Sequence, residues 1–168
     1  RPDLVAPDIQ YTFIPLIYEN SGRTIIPDHG YMVHFTLQRP HSTGTVLITS
    51  PDSDQPPAID LNYFAHDEDL HTMREAVKFG RDLLAQPPFD EFRDREYGPG
   101  ADVSSDDEIE EHLRQKVDSN YHLSGSCKMG RGTDAVVDEY LQVHGIEGLR
   151  VIDASIMPSI VSGNTNAP

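Results

Sequence analysis

Cysteine is nearly absent. The 168-residue chain carries one, Cys127, which excludes an internal disulfide and any cysteine-rich metal site. Tryptophan is missing, and so is any unbroken apolar run long enough to cross a bilayer. Basic residues are scarce, 13 Lys and Arg against 28 Asp and Glu, for a net charge of −15. That balance argues against nucleic acid and anionic membrane surfaces as partners. The acidity itself reads as a solvated surface, with adaptation to high salt a minor alternative, and says nothing about a reaction. No Asn-x-Ser/Thr acceptor occurs, which leans away from a glycosylated secreted protein and towards a cytoplasmic location. The chain opens on Arg1 with no charged-then-apolar leader, so it reads as a piece whose own start and any targeting signal lie elsewhere.

What is present is an alternation of strand and helix signals. Residues 1–7 are polar and proline-bearing, a lead-in rather than an element. Ile9–Phe13 alternates apolar with polar and reads as a strand, and Pro15 behind it suits an edge or a bulge. Glu19–Gly30 carries turn residues and is expected to be a loop. The clearest strand is Tyr31–Gln38, with Tyr31, Val33, Phe35 and Leu37 on one face and Met32, His34, Thr36 and Gln38 on the other. The short link Arg39–Gly44 to a second strand, Thr45–Thr49, predicts an antiparallel hairpin. A helix is predicted from Asp67 to Ala85, with acids opposing its positive end, an apolar stripe of Leu70, Met73, Val77 and Leu84, and Pro87-Pro88 as its stop. Ser105-Asp106-Asp107-Glu108 is a capping box opening a second helix with Ile109, Leu113 and Val117 on one side. Ala135–Val143 and Leu149–Ile152 read as short strands. The fold class is therefore α+β: an antiparallel sheet backed by helices, followed by C-terminal strands.

Chemistry-bearing residues concentrate after Asn120. Tyr121-His122-Leu123-Ser124-Gly125-Ser126-Cys127-Lys128-Met129-Gly130 sets a histidine in a glycine-rich turn whose small residues let backbone come close to a flat partner. An imidazole is suited to accept a proton near neutral pH, although most histidines are solvated or structural. Leu149-Arg150-Val151-Ile152-Asp153-Ala154 is a short apolar strand ending in an acid, and that acid equally suits a helix cap. Ser162-Gly163-Asn164-Thr165-Asn166-Ala167-Pro168 is an Asn-rich loop, in which Asn164 is either a hydrogen-bond donor to a ligand or a turn residue. Cys127 has a lysine neighbour but reads best as a small packed filler. The remaining histidines form no metal set: His66 and His71 are five apart, and His29 and His34 lie across a loop and a strand.

These three motifs, in this order and spacing, resemble the C-terminal signature of the glucose–methanol–choline (GMC) family of flavin-dependent oxidoreductases. Ala58-Ile59-Asp60-Leu61-Asn62-Tyr63 resembles the segment before the first substrate-domain helix of that family, so the resemblance spans nearly the whole chain. The Gly125–Gly130 form is nearest to choline-dehydrogenase-like members, with Ser126 where the family usually has Thr. The resemblance implies FAD as cofactor and a small-molecule alcohol as substrate. It implies His122 as the base that takes the hydroxyl proton and Asn164 as its partner at the substrate oxygen. It also implies Asp153, Ala154, Thr165 and Asn166 beside the cofactor. Residues 1–120 would form a substrate-binding domain, and 121–168 the active-site motif and the C-terminal part of the FAD-binding domain. The Gly-x-Gly-x-x-Gly half that a flavoprotein needs is not in this sequence, so the remainder of the same enzyme is an expected partner. Alone, the chain is expected to be inactive, to hold FAD poorly, and to expose the apolar faces of 149–152 and 156–161. A non-oxidising relative such as a hydroxynitrile lyase, and an acidic β-rich binding domain without activity, are the alternative readings.

Overall fold

The two helices form where their caps and stripes put them. The computed structural model describes residues 4–166, so the first three residues of the lead-in and the Ala167-Pro168 end of the Asn-rich loop lie outside the described residues. α1 is Asp67–Leu84, with His66 as N-cap in extended geometry and its Nδ1 accepting from the Glu68 N–H. Asp67, Glu68 and Asp69 fill its first turn, and a 3₁₀ turn over Pro87–Phe89 follows. α2 is Asp106–Lys116, and both halves of the capping box are made: the Glu108 N–H donates to Ser105 Oγ, and the Ser105 N–H donates to Glu108 Oε2 at 2.9 Å. Ile109 and Leu113 of α2 close on Leu70 and Val77 of α1 and on Phe64, giving one buried cluster flanked by Phe35, Tyr63, Met73, Val103 and Val117. Full burial of such side chains is worth roughly 1.5–3 kcal/mol each, which is why neither stripe is stable unpartnered. At the rim, Arg74 meets Glu110 at 2.6 Å and Lys78 meets Asp106 at 2.7 Å.

Three antiparallel strand pairs accompany the helices. β1 (Ile9–Ile14) pairs with β4 (Met32–Leu37), with Ile9 opposite Leu37 and Ile14 opposite Met32. The predicted alternation holds: Phe35 stacks edge-on with Tyr11 and reaches the helix core, while His34 contacts the Tyr18 hydroxyl at 3.2 Å. Tyr11 also donates to the carbonyl of Ala76 on α1. Gly80 makes this close approach possible, since a Cβ there would lie 2.7 Å from the Phe35 ring. Within the expected loop 19–30, a small hairpin forms instead, β2 (Tyr18–Glu19) against β3 (Thr24–Ile25), with Asn20, Ser21 and Gly22 at positive φ in its tip.

The hairpin predicted between 31–38 and 45–49 does not form. β5 (Thr45–Leu47) pairs instead with β6 (Ala58–Asp60). Two causes are visible. The buried carboxylate of Asp69, in the first turn of α1, accepts from the His41 N–H at 2.9 Å and the Ser42 N–H at 2.7 Å, drawing the chain after β4 onto the helix end. Gly44 then lets its backbone run against Asp60, where a Cβ would stand 2.0 Å from the carbonyl oxygen. The short strands predicted over 135–143 and 149–152 take the form of isolated bridges: Met129 with Val137, Val137 with Val143, and Gln142 with Arg150. A turn breaks the first run. Asp138 Oδ1 accepts from the N–H groups of Tyr140 and Gln142, and Leu141 sits at φ +66°.

By their contacts the residues fall into two compact units. Among the described residues, one holds Pro7–Ser42 with Tyr63–Asp118, and the other holds 4–6, Thr43–Asn62 and 119–166. The first unit carries the helix core. The second is organised around Val137, fully buried, whose neighbours Lys128 and Gly130 exchange backbone hydrogen bonds with it and with Val136.

Candidate active site

The site begins with a backbone that turns the wrong way for an ordinary residue. Tyr121 has φ +61°, a left-handed conformation that costs a bulky residue on the order of 1–2 kcal/mol, and its N–H is tied to Ser119 Oγ at 2.9 Å. The Tyr121 ring is left in solvent, and His122 beside it is half-buried. The His122 ring contacts the Asn-rich loop: Nδ1 lies 3.1 Å from Thr165 Oγ1. Gly125, at φ +89°, completes the turn where a side chain would be strained. Beyond it, the Cys127 N–H donates to the Ser155 carbonyl and the Met129 N–H to the Ile156 carbonyl, at 2.9 and 2.8 Å.

Those contacts gather all three motifs in one unit. The 121–130 turn touches the 162–166 loop through His122 and the 154–156 segment through Cys127 and Met129. Asp153 caps the 3₁₀ turn Ala154–Ile156, its Oδ1 accepting from the Ser155 N–H at 2.8 Å. The Ser155 hydroxyl and N–H hold the carboxyl below its ordinary pKa range. The capping role foreseen for Asp153 is thus present, and the carboxylate remains on the surface. Ala154 is half-buried beside it, while the amides of Asn164 and Asn166 are exposed. Cys127 is free and half-buried. Among the described residues, no group of His, Cys, Asp and Glu has the arrangement of a metal site, and no helix is long and apolar enough to cross a membrane.

Comparison with known proteins decides the family. The GMC oxidoreductase C-terminal family model matches residues 40–168. The chain belongs to the GMC oxidoreductase family. It is 46% identical to an oxygen-dependent choline dehydrogenase of Chromohalobacter salexigens over 164 residues, which is 96% of this chain and 29% of that protein. It is 44% identical to one from Yersinia pseudotuberculosis over 96% of this chain and 28% of the relative. Among solved structures it resembles pyridoxine 4-oxidase from Mesorbium loti, with a TM-score of 0.84 and 30% identity over 94% of this chain and 31% of that one. The chain therefore spans about 30% of the length of the curated relatives it matches. The α+β architecture, antiparallel pairs with two helices, is that of its GMC neighbours.

The residue the sequence undervalued is Thr165. Read as a neighbour of the cofactor, it is also the hydrogen-bond partner of His122. Nothing in the local pattern Asn164-Thr165-Asn166 could have joined it to a ring 43 residues away.

Proposed function

We propose that this chain supplies the C-terminal, catalytic portion of an FAD-dependent oxidoreductase that oxidises a small alcohol to the aldehyde. Choline is the first candidate substrate, because the curated relatives are choline dehydrogenases and match almost all of the chain. The observation that carries the reading is the His122–Thr165 contact, which puts the one histidine of the glycine-rich turn against the Asn-rich loop. Oxidation of a carbinol removes a proton from oxygen and a hydride from carbon. His122 takes the proton through Nε2, the ring nitrogen not engaged with Thr165. Asn164 donates its exposed amide N–H to the substrate oxygen as negative charge builds there. Bound FAD would supply the acceptor for that hydride.

The residues present suit such a cofactor. Asp153 offers a surface carboxylate able to accept from hydroxyl groups, Ala154 adds no bulk, and Thr165 contacts the histidine with exposed Asn166 next to it in sequence. In this reading 121–168 serves the cofactor and the reaction, and the stretch through 120 serves the substrate. The redox reading is favoured over a lyase because the relatives and neighbours are named dehydrogenases and oxidases. The rest of the polypeptide, carrying the dinucleotide-binding half, is the partner this reading requires.

The test uses the full-length enzyme. His122→Ala should keep its flavin absorbance while anaerobic flavin reduction by choline slows about 10²- to 10⁴-fold, the scale of one acid–base group. Reduction at the wild-type rate would remove His122 from the role of base. A wild-type enzyme whose flavin is never bleached by any alcohol would remove the redox reading altogether.

A further inference from the structure

We infer that Thr165 is a positioning residue that fixes the tautomer of His122; the inference rests on the reading of His122 as the base. A neutral imidazole has one nitrogen that donates and one that accepts, and the hydrogen bond at one of them decides the role of the other. Thr165 Oγ1 lies 3.1 Å from Nδ1, and a hydroxyl is able to satisfy that nitrogen in either sense. If the hydroxyl donates to Nδ1, the ring proton sits on Nε2, and Nε2 has no lone pair with which to take a proton. If Nδ1–H donates to Oγ1, Nε2 is left basic. After Nε2 has taken the alcohol proton, the same Nδ1–H···Oγ1 bond remains and is strengthened by the positive charge of the ring. Only the second arrangement serves proton removal.

The surroundings favour a held ring. Thr165 and His122 are both half-buried, so the contact is partly shielded from competing water. A threonine has few χ1 options, and its hydroxyl is aimed more narrowly than that of serine. On the other side, the left-handed Tyr121 and its bond to Ser119 set the backbone from which the ring projects. Asn164 and Asn166, on either side of Thr165, are exposed. The loop therefore presents one side chain inward to the base and two outward, a division of labour within three residues.

The experiment compares Thr165→Val, Thr165→Ser and His122→Gln in the full-length, flavin-loaded enzyme. ¹⁵N NMR of the histidine-labelled protein reads the tautomer directly, with His122→Gln identifying the signal. The wild type and Thr165→Ser should carry the proton on Nδ1, and Thr165→Val should shift it towards Nε2. Anaerobic flavin reduction by choline should slow about tenfold in limiting rate for Thr165→Val, the worth of one hydrogen bond, with KM within threefold. Thr165→Ser should restore the rate to within threefold of wild type. An unchanged tautomer in Thr165→Val overturns the inference, as does equal impairment by Ser and Val, which marks a packing role. If His122→Gln reduces its flavin normally, the base reading fails, and the NMR result still decides whether Thr165 holds the ring.

Discussion

Replacing Asp69 tests the device that holds the chain after β4 on the first turn of α1. Its side chain is 1% exposed, yet it sits at the third position of α1, where an acid would ordinarily face solvent or reach back to the N-cap. Instead it accepts the N–H groups of His41 and Ser42, and the Ser42 hydroxyl in turn accepts the His66 N–H at 3.0 Å. Asp69→Ala leaves two backbone donors without an acceptor inside the protein. Each unsatisfied donor costs about 1–3 kcal/mol, and water entering a loosened turn recovers part of it, so the expected loss is about 2–4 kcal/mol. Asp69→Asn keeps one acceptor oxygen but turns an NH₂ towards the other donor, and about half that loss is expected.

The pH dependence follows with a definite sign. Burial raises the Asp69 carboxyl, but the His41 and Ser42 backbone donors, the Ser42 hydroxyl and the nearby His41 ring outweigh it and hold the pKa below its ordinary value. A depressed folded-state value means that the contribution is complete above the unfolded pKa of about 3.9 and is lost as pH falls through the folded value. The stability gap between wild type and Asp69→Asn should therefore be flat from neutral pH down to about pH 5 and shrink below about pH 4. Hydrogen exchange on the peptide containing His41 and Ser42 gives the local reading, and urea unfolding gives the overall one. Wild-type protection at these two amides in Asp69→Ala, with an unchanged unfolding midpoint, would refute the assignment.

Three other outcomes follow from the packing and the site. Gly44→Ala should part β5 from β6, since the new Cβ would meet the Asp60 carbonyl at 2.0 Å and the Leu61 Cα at 2.9 Å, both rigid backbone; faster exchange across 45–47 and 58–60 and a loss of about 1–3 kcal/mol are expected, and unchanged exchange would count against it. Ile109→Ala, at a side chain 1% exposed, should cost about 2–5 kcal/mol in denaturant unfolding. Asn164→Ala should slow flavin reduction by about 10²-fold, less than His122→Ala, without loss of bound flavin.

The helices were legible because their determinants are local. The box Ser105–Glu108 lies within three residues, the acids of 67–69 fill a single turn, and the stripes of Leu70 and Val77, and of Ile109 and Leu113, repeat within each helix. The strand at 32–37 was legible for the same reason, as alternation is a property of neighbours. Its partner was not. Pairing is decided by which segment arrives, and here a carboxylate 27 residues from Ser42 takes the turn that a hairpin would have used. The small β2–β3 hairpin was missed in turn because two-residue strands carry no period to detect.

The site divides along the same line. His122, Asp153 and Asn164 could be picked out, since each is a reactive or polar residue in a short recognisable setting, but their residue types alone left catalysis and plain structure both open. Only the order and spacing of three motifs narrowed it, and that is a relation across 40 residues rather than a local pattern. The structure adds the contacts that spacing does not contain. Asp153 proves to cap its own turn, its Oδ1 accepting the Ser155 N–H. Thr165 proves to touch His122, so the loop that reads as cofactor-facing also reaches the base. A side chain's chemistry is written in its type, but which of its atoms remains available is set by what the fold has already bonded. That is why the tautomer of His122, and not its identity, is the informative quantity to measure.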